Sequence, residues 1–141
     1  MSFLSSSSNG DPGVNRLLAA LPKTEYKLLV PKLKTVSLVL GEVLYEPGDT
    51  IKQVYFPNDS IVSLLSTTPE RSTLEVGMVG NEGFAGLSIF MGVNVSQTRA
   101  LVQGAGSAMR MTSAAVRHEA NHLGRSKALF EHGAGVGHGL A

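Results

Sequence analysis

The chain has 141 residues, 43% hydrophobic and 16% charged, which suits one globular domain with a real core rather than a disordered segment. A net charge of +1 leaves no electrostatic footprint for nucleic acid, and the lack of cysteine excludes a disulfide scaffold, a thiolate zinc site and an iron–sulfur cluster. No apolar run reaches the length of a membrane span and the first residues lack the basic start and apolar core of a signal peptide, so a cytoplasmic protein with no membrane partner is expected.

Residues 1–13 are rich in Ser, Gly and Pro and read as a flexible N-terminal tail. Val14, Leu17, Leu18 and Leu21 follow helical spacing, and Pro22 interrupts them. Thr24 is placed to cap a second short helix running through Leu28 and Leu29 towards Pro31. The period then changes to two. Leu33, Thr35, Ser37 and Val39 alternate with Lys34, Val36, Leu38 and Leu40. Further strands are predicted over 43–45, 51–56, 61–67, 72–79, 97–103 and 108–111. They are punctuated by Glu46-Pro-Gly-Asp49, Pro57-Asn-Asp59, Thr68-Pro-Glu70 and Gly104-Ala-Gly106. Residues 84–91 are apolar without strict alternation and suit a helical turn. Thr112 or Ser113 caps a closing helix to about Leu123. Short strands with turns every eight to twelve residues mean a sandwich or barrel. Residues 125–141, rich in Gly and His, have no periodicity that could be buried and read as a disordered tail.

The feature around which this pattern is arranged is the stretch 77–87, with Gly77, Gly80, Gly83 and Gly86, followed across a polar span by Arg99 and Ala100. Glycine-rich backbone facing a fixed guanidinium can hold a small anion such as a phosphate. A glycine-rich barrel corner beside a surface arginine would carry the same residues. The basic residues Lys23, Lys27, Lys32 and Lys34 read as a solvated face, and Met78, Met91, Met109 and Met111 as core.

The order of these motifs resembles the sensor domain of Crp/Fnr-type transcription regulators. The matching strings are Asn15-Arg-Leu-Leu-Ala-Ala-Leu-Pro22, Leu40-Gly-Glu-Val-Leu-Tyr-Glu-Pro-Gly-Asp49, Val54-Tyr-Phe-Pro57, Ile61-Val-Ser-Leu-Leu65, the 77–87 stretch, and Arg99 through Met111. The resemblance implies a mainly β domain over 14–124. It would be a double-stranded β-helix or jelly-roll-like, cyclic-nucleotide-binding-like roll with short N-terminal helices and one closing C-terminal helix. It implies a ligand-sensing regulatory role without catalysis or cofactor, and a candidate pocket of Gly80, Glu82, Gly83, Gly86, Leu87, Arg99 and Ala100. The ligand would be a small anionic or nucleotide-like molecule. Nucleotide-binding members carry Phe-Gly-Glu-Leu before an Arg-Ala pair, the Glu taking the ribose hydroxyl and the Arg the cyclic phosphate. Here Gly86 falls on the Gly and Leu87 on the Glu, the span to Arg99 is longer, and Glu82 serves only if the loop shifts. Cyclic AMP is therefore not the favoured ligand.

Family relatives continue into a dimerisation helix and a DNA-binding domain. No such pattern is present here, so a truncated regulator that does not bind DNA by itself is expected, or a free-standing binding or interaction domain of the same fold. A remote third reading rests on His118-Glu-Ala-Asn-His122, an H-E-x-x-H string that on a helix sets His118 and His122 on one face for zinc, with Glu119 as base. The positions that would supply a third ligand in the longer motif hold Arg125 and Ala128.

Overall fold

The computed structural model describes residues 14–67, 70, 72–86, 89 and 93–120. Both expected tails, Leu87, Met91 and His122 lie outside these residues. The chain opens with two helices, α1 (Arg16–Ala19) and α2 (Lys23–Leu29), and a 3-10 turn (Val30–Lys32). Seven strands follow among the described residues: β1 (Lys34–Leu38), β2 (Val43–Tyr45), β3 (Gln53–Pro57), β4 (Ile61–Thr67), β5 (Thr73–Val79), β6 (Arg99–Gly104) and β7 (Gly106–Thr112). Helix α3 (Ser113–Ala120) closes the described chain.

The strands form two antiparallel sheets, one ordered β1-β7-β3 and the other β2-β6-β4-β5. The mainly β architecture expected from the turn spacing is therefore present. Two turns depend on glycine: Gly41 and Gly48 sit at φ 87° and 89°, where other residues are strained. The core runs between the sheets and under the N-terminal helices. Val54, Val62, Val79, Phe84, Ala100, Val102 and Ala108 are wholly buried. Phe56 and Phe84 stack at a tilt, with ring centroids 5.5 Å apart. Met111 is core and Met109 packs against it, as expected, whereas Met78 is 42% exposed.

Several boundaries differ from the sequence reading, β3 among them, which starts at Gln53 rather than at residue 51. Helix α2 starts at Lys23, and Thr24 lies within its first turn. The carbonyl of Pro22 accepts from the amides of Glu25 and Tyr26, so the extended Pro22 acts as the cap without a side-chain bond. Strand β6 begins at Arg99 rather than at residue 97, because Ser96 folds back to accept from the Thr98 amide at 3.1 Å through its hydroxyl. Strand β7 begins at Gly106 rather than at 108, since Gly106 already pairs with Leu38.

Candidate functional site

The glycine-rich stretch leaves β5 and crosses to the three-stranded sheet. Three attachments fix it. Ala85 bridges Tyr55, with paired backbone bonds of 3.1 and 2.8 Å. The carbonyl of Asn81 accepts from the Arg16 amide at 2.6 Å. The carbonyl of Gly83 accepts from the Asn15 side-chain amide at 2.9 Å. Its glycines serve different ends. Gly86 has φ 119° and stands so close to Val54 that a Cβ would lie 3.0 Å from Val54 Cγ2. A Cβ on Gly80 would meet open space. Gly83 is buried and Glu82 is exposed in the turn.

Asn15 is the residue that ties this stretch to the fold. It is 1% exposed and caps α1 by accepting from the Leu18 amide at 3.0 Å. Its own side-chain amide donates to Pro57 O (2.8 Å) as well as to Gly83 O, and its backbone N–H donates to Asn58 Oδ1 (3.1 Å). The sequence reading passed over this role. An asparagine immediately before an amphipathic run is a cap signal, but its long-range partners leave no trace in the local pattern.

Arg99 and Ala100 open β6. Tyr45 is in register with Ala100, which brings Glu46 beside Arg99. The guanidinium Nε donates to Glu46 Oε1 at 2.7 Å, and the two side chains are 43% and 44% exposed. Ala100 is fully buried and Thr98 nearly so, hence alternation turns Arg99 to the side opposite both. The Glu46 turn is itself fastened. Asp49 Oδ2 accepts from the Glu46 amide at 2.9 Å, Gly48 N–H donates to Ser96 O at 2.9 Å, and Ser96 N–H donates to Asp49 O at 3.0 Å. The structure thus joins the glycines to α1 and β3, and Arg99 to the 46–49 turn.

Two tyrosines lie in the core near this region. Burial pushes the Tyr45 hydroxyl well above its ordinary pKa, and Tyr55 adds to the rise. Burial also raises Tyr55, while the Arg110 guanidinium beside it offsets part of the effect.

The remaining candidate chemistry sits on α3. His118 is exposed, whereas the Glu119 side chain is 7% exposed and its Oε2 lies 3.2 Å from Lys32 Nζ and 3.9 Å from His118 Nε2. Lys32, read from the sequence as part of a solvated face, is here the partner of a buried carboxylate. Among the described residues, no group of three or more His, Cys, Asp or Glu is placed to hold a metal ion.

Comparison with known folds agrees with this architecture. The N-terminal domain of a transcriptional regulator from Streptomyces coelicolor superposes with a TM-score of 0.65 at 17% identity, over 88% of this chain and 84% of that one. A cyclic nucleotide-binding domain from Methylobacillus flagellatus gives 0.67 at 9% identity, over 83% and 69%. The fold is the cyclic-nucleotide-binding-like roll. The c-di-GMP-responsive global regulator CLP of Xanthomonas campestris shares this roll, with a TM-score of 0.65 and 13% identity over 82% of this chain, which spans 56% of that regulator. No protein-family model and no curated sequence matches the chain. Within the roll, no described helix is long and apolar enough to cross a membrane.

Proposed function

We propose that the chain is the ligand-sensing regulatory domain of a Crp/Fnr-like transcription regulator, acting by binding rather than by catalysis. The likeness to a regulator's N-terminal domain over 88% of the chain supports this. A sensor of this kind works by population shift: the ligand binds one arrangement of roll and closing helix better than the other. In this roll the route for such a shift is built from named contacts. The glycine-rich stretch is bonded to α1 through Asn15 and Arg16, and the 3-10 turn that follows α2 is bonded to α3 through Lys32 and Glu119.

Cyclic AMP is not its high-affinity ligand in this reading, and the pair of Arg99 with Glu46 carries that conclusion. A guanidinium that already serves a carboxylate must give it up, or share it, before it can take a cyclic phosphate. Calorimetry with cyclic AMP on the parent, Glu46→Gln and Arg99→Lys proteins tests this. Weak binding by the parent, improved by Glu46→Gln, is expected. Lysine cannot reproduce the guanidinium fork, so Arg99→Lys should weaken any phosphate held there at least roughly tenfold. Tight cyclic AMP binding by the parent, unchanged by either substitution, would remove this reading of Arg99.

A further inference from the structure

A second cation stands in line with the glycine-rich stretch. Antiparallel register sets Lys34 of β1 and Tyr55 of β3 on either side of Arg110 in the central strand β7. Tyr55 is in turn bridged to Ala85, at the end of the glycine-rich stretch. Lys34, Arg110, Tyr55 and Ala85 therefore form one row across the sheet. Directly opposed residues share a face, with Cβ atoms about 4.5–5.5 Å apart. Arg110 and Ala85 are two strand spacings apart, about 10 Å.

This row puts two positive side chains next to each other, which is unfavourable unless something negative lies between them. Among the described residues neither has a carboxylate partner. The ion pairs there are Lys32 with Glu119, Arg99 with Glu46 and His118 with Glu119. Glu42, which acts on the Tyr55 hydroxyl, accepts from the Val39 amide at 3.0 Å. Arg110 is half-buried and Tyr55 is 9% exposed, so both are partly withdrawn from water. Lys34, at the first position of β1, is exposed and leaves the row open at that end. Further along the same face stand Ala108 (0% exposed), Val36 and Leu38 (4%), all apolar. The face is thus cationic and hydrogen-bonding at one end and apolar at the other.

We propose that Lys34, Arg110 and Tyr55 form an oxyanion-holding position in the roll, for a ligand whose phosphate-type group enters from the exposed Lys34 end of the row. The proposal rests on the reading of the chain as a ligand-binding sensor, and it moves the charge contact from Arg99 to Arg110. The physical reason is placement. Arg110 shares a row with the glycine-rich backbone, whereas Arg99 is turned to Glu46.

The test is a titration of the full chain with inorganic phosphate at constant ionic strength. It is followed by thermal unfolding and by the NMR signal of the Arg110 Nε–H group. Phosphate should raise the unfolding midpoint of the parent and of Arg99→Gln beyond the effect of chloride, and should shift the Arg110 signal. Arg110→Gln should weaken phosphate at least roughly tenfold. Lys34→Gln, a surface change that leaves the fold intact, should weaken it severalfold and carries the test if Arg110→Gln does not fold. An equal response from parent, Arg110→Gln and Lys34→Gln would overturn the assignment, as would no response beyond chloride. A response lost in Arg99→Gln but kept in Arg110→Gln would overturn it while leaving the sensor reading standing. No response to phosphate or to any cyclic nucleotide would remove both.

Discussion

The side-chain amide of Asn15 donates to the carbonyl of Gly83 at 2.9 Å across 68 residues of sequence. One buried side chain thereby caps α1, holds the end of β3 at Pro57 and anchors the glycine-rich stretch. Asn15→Ala removes the cap and leaves two buried carbonyls without their donor, which should cost about 2–3 kcal/mol. Asn15→Asp keeps the cap acceptor but sets a carboxylate against those carbonyls, so it should be no better than alanine. Urea unfolding of the three proteins measures both. A loss under about 0.5 kcal/mol for Asn15→Ala would mean that the stretch is held by other contacts.

The glycines should separate by role. Gly86→Ala forces a side chain onto φ 119° and against Val54, and should destabilise by about 1–3 kcal/mol. A Cβ on Gly106 would lie 2.6 Å from Asp59 Oδ1 and 2.8 Å from its backbone, so Gly106→Ala must shift the β3–β4 corner and should be at least as damaging. Gly80→Ala, facing open space, should stay within about 0.5 kcal/mol of the parent. Similar melting temperatures for all three variants would show that the close approaches relax easily.

Breaking the Arg99–Glu46 pair should barely affect stability. Both side chains are over 40% exposed, and such pairs contribute at most about 1 kcal/mol. Glu46→Gln should therefore melt close to the parent while changing anion binding at Arg99. A large stability loss would mark the pair as structural and weaken its reading as a brake on ligand binding.

Glu119 is a different case, since its side chain is only 7% exposed. Lys32→Met should remove one charge partner of that carboxylate and cost about 1–2 kcal/mol, less than for a fully buried pair because Lys32 is 37% exposed. Combining it with Glu119→Leu should recover part of the loss, which a double-mutant cycle reads directly. A double variant less stable than either single one would show that Glu119 matters through its other contacts.

The two buried tyrosines set an alkaline limit. In the folded state both hydroxyls have pKa values above the ordinary 10.0, whereas in the unfolded chain they ionise near it. Their contribution is complete below about pH 10 and is lost as the pH rises from there towards the folded-state values. Stability should fall above about pH 10, and phenolate absorbance from Tyr45 should appear together with unfolding. Tyr45→Phe should flatten the fall. Phenolate formation by Tyr45 in the folded protein near pH 10 would contradict its burial.

The strands, their turns and the closing helix were legible in the sequence because those signals are local. Alternation in 72–79 and the Pro-Gly of the 46–49 turn act within a few residues of themselves. So was the roll, through motifs that follow one another in the right order. What the sequence left open was the partner of each polar group. The 77–87 stretch and Arg99 are close in the chain, and proximity suggested that they face each other. Cross-strand register adds partners that proximity in the chain does not reveal. It pairs Arg99 with Glu46, 53 residues away, and lines the glycine-rich stretch up with Tyr55 and Arg110. Likewise, spacing alone set His118 and His122 on one helix face with Glu119 as base, whereas the fold brings Lys32 of the 3-10 turn to the Glu119 carboxylate. Register and packing are settled by burying the whole apolar set at once. A one-residue slip would reverse every face, and no short window of sequence contains that constraint.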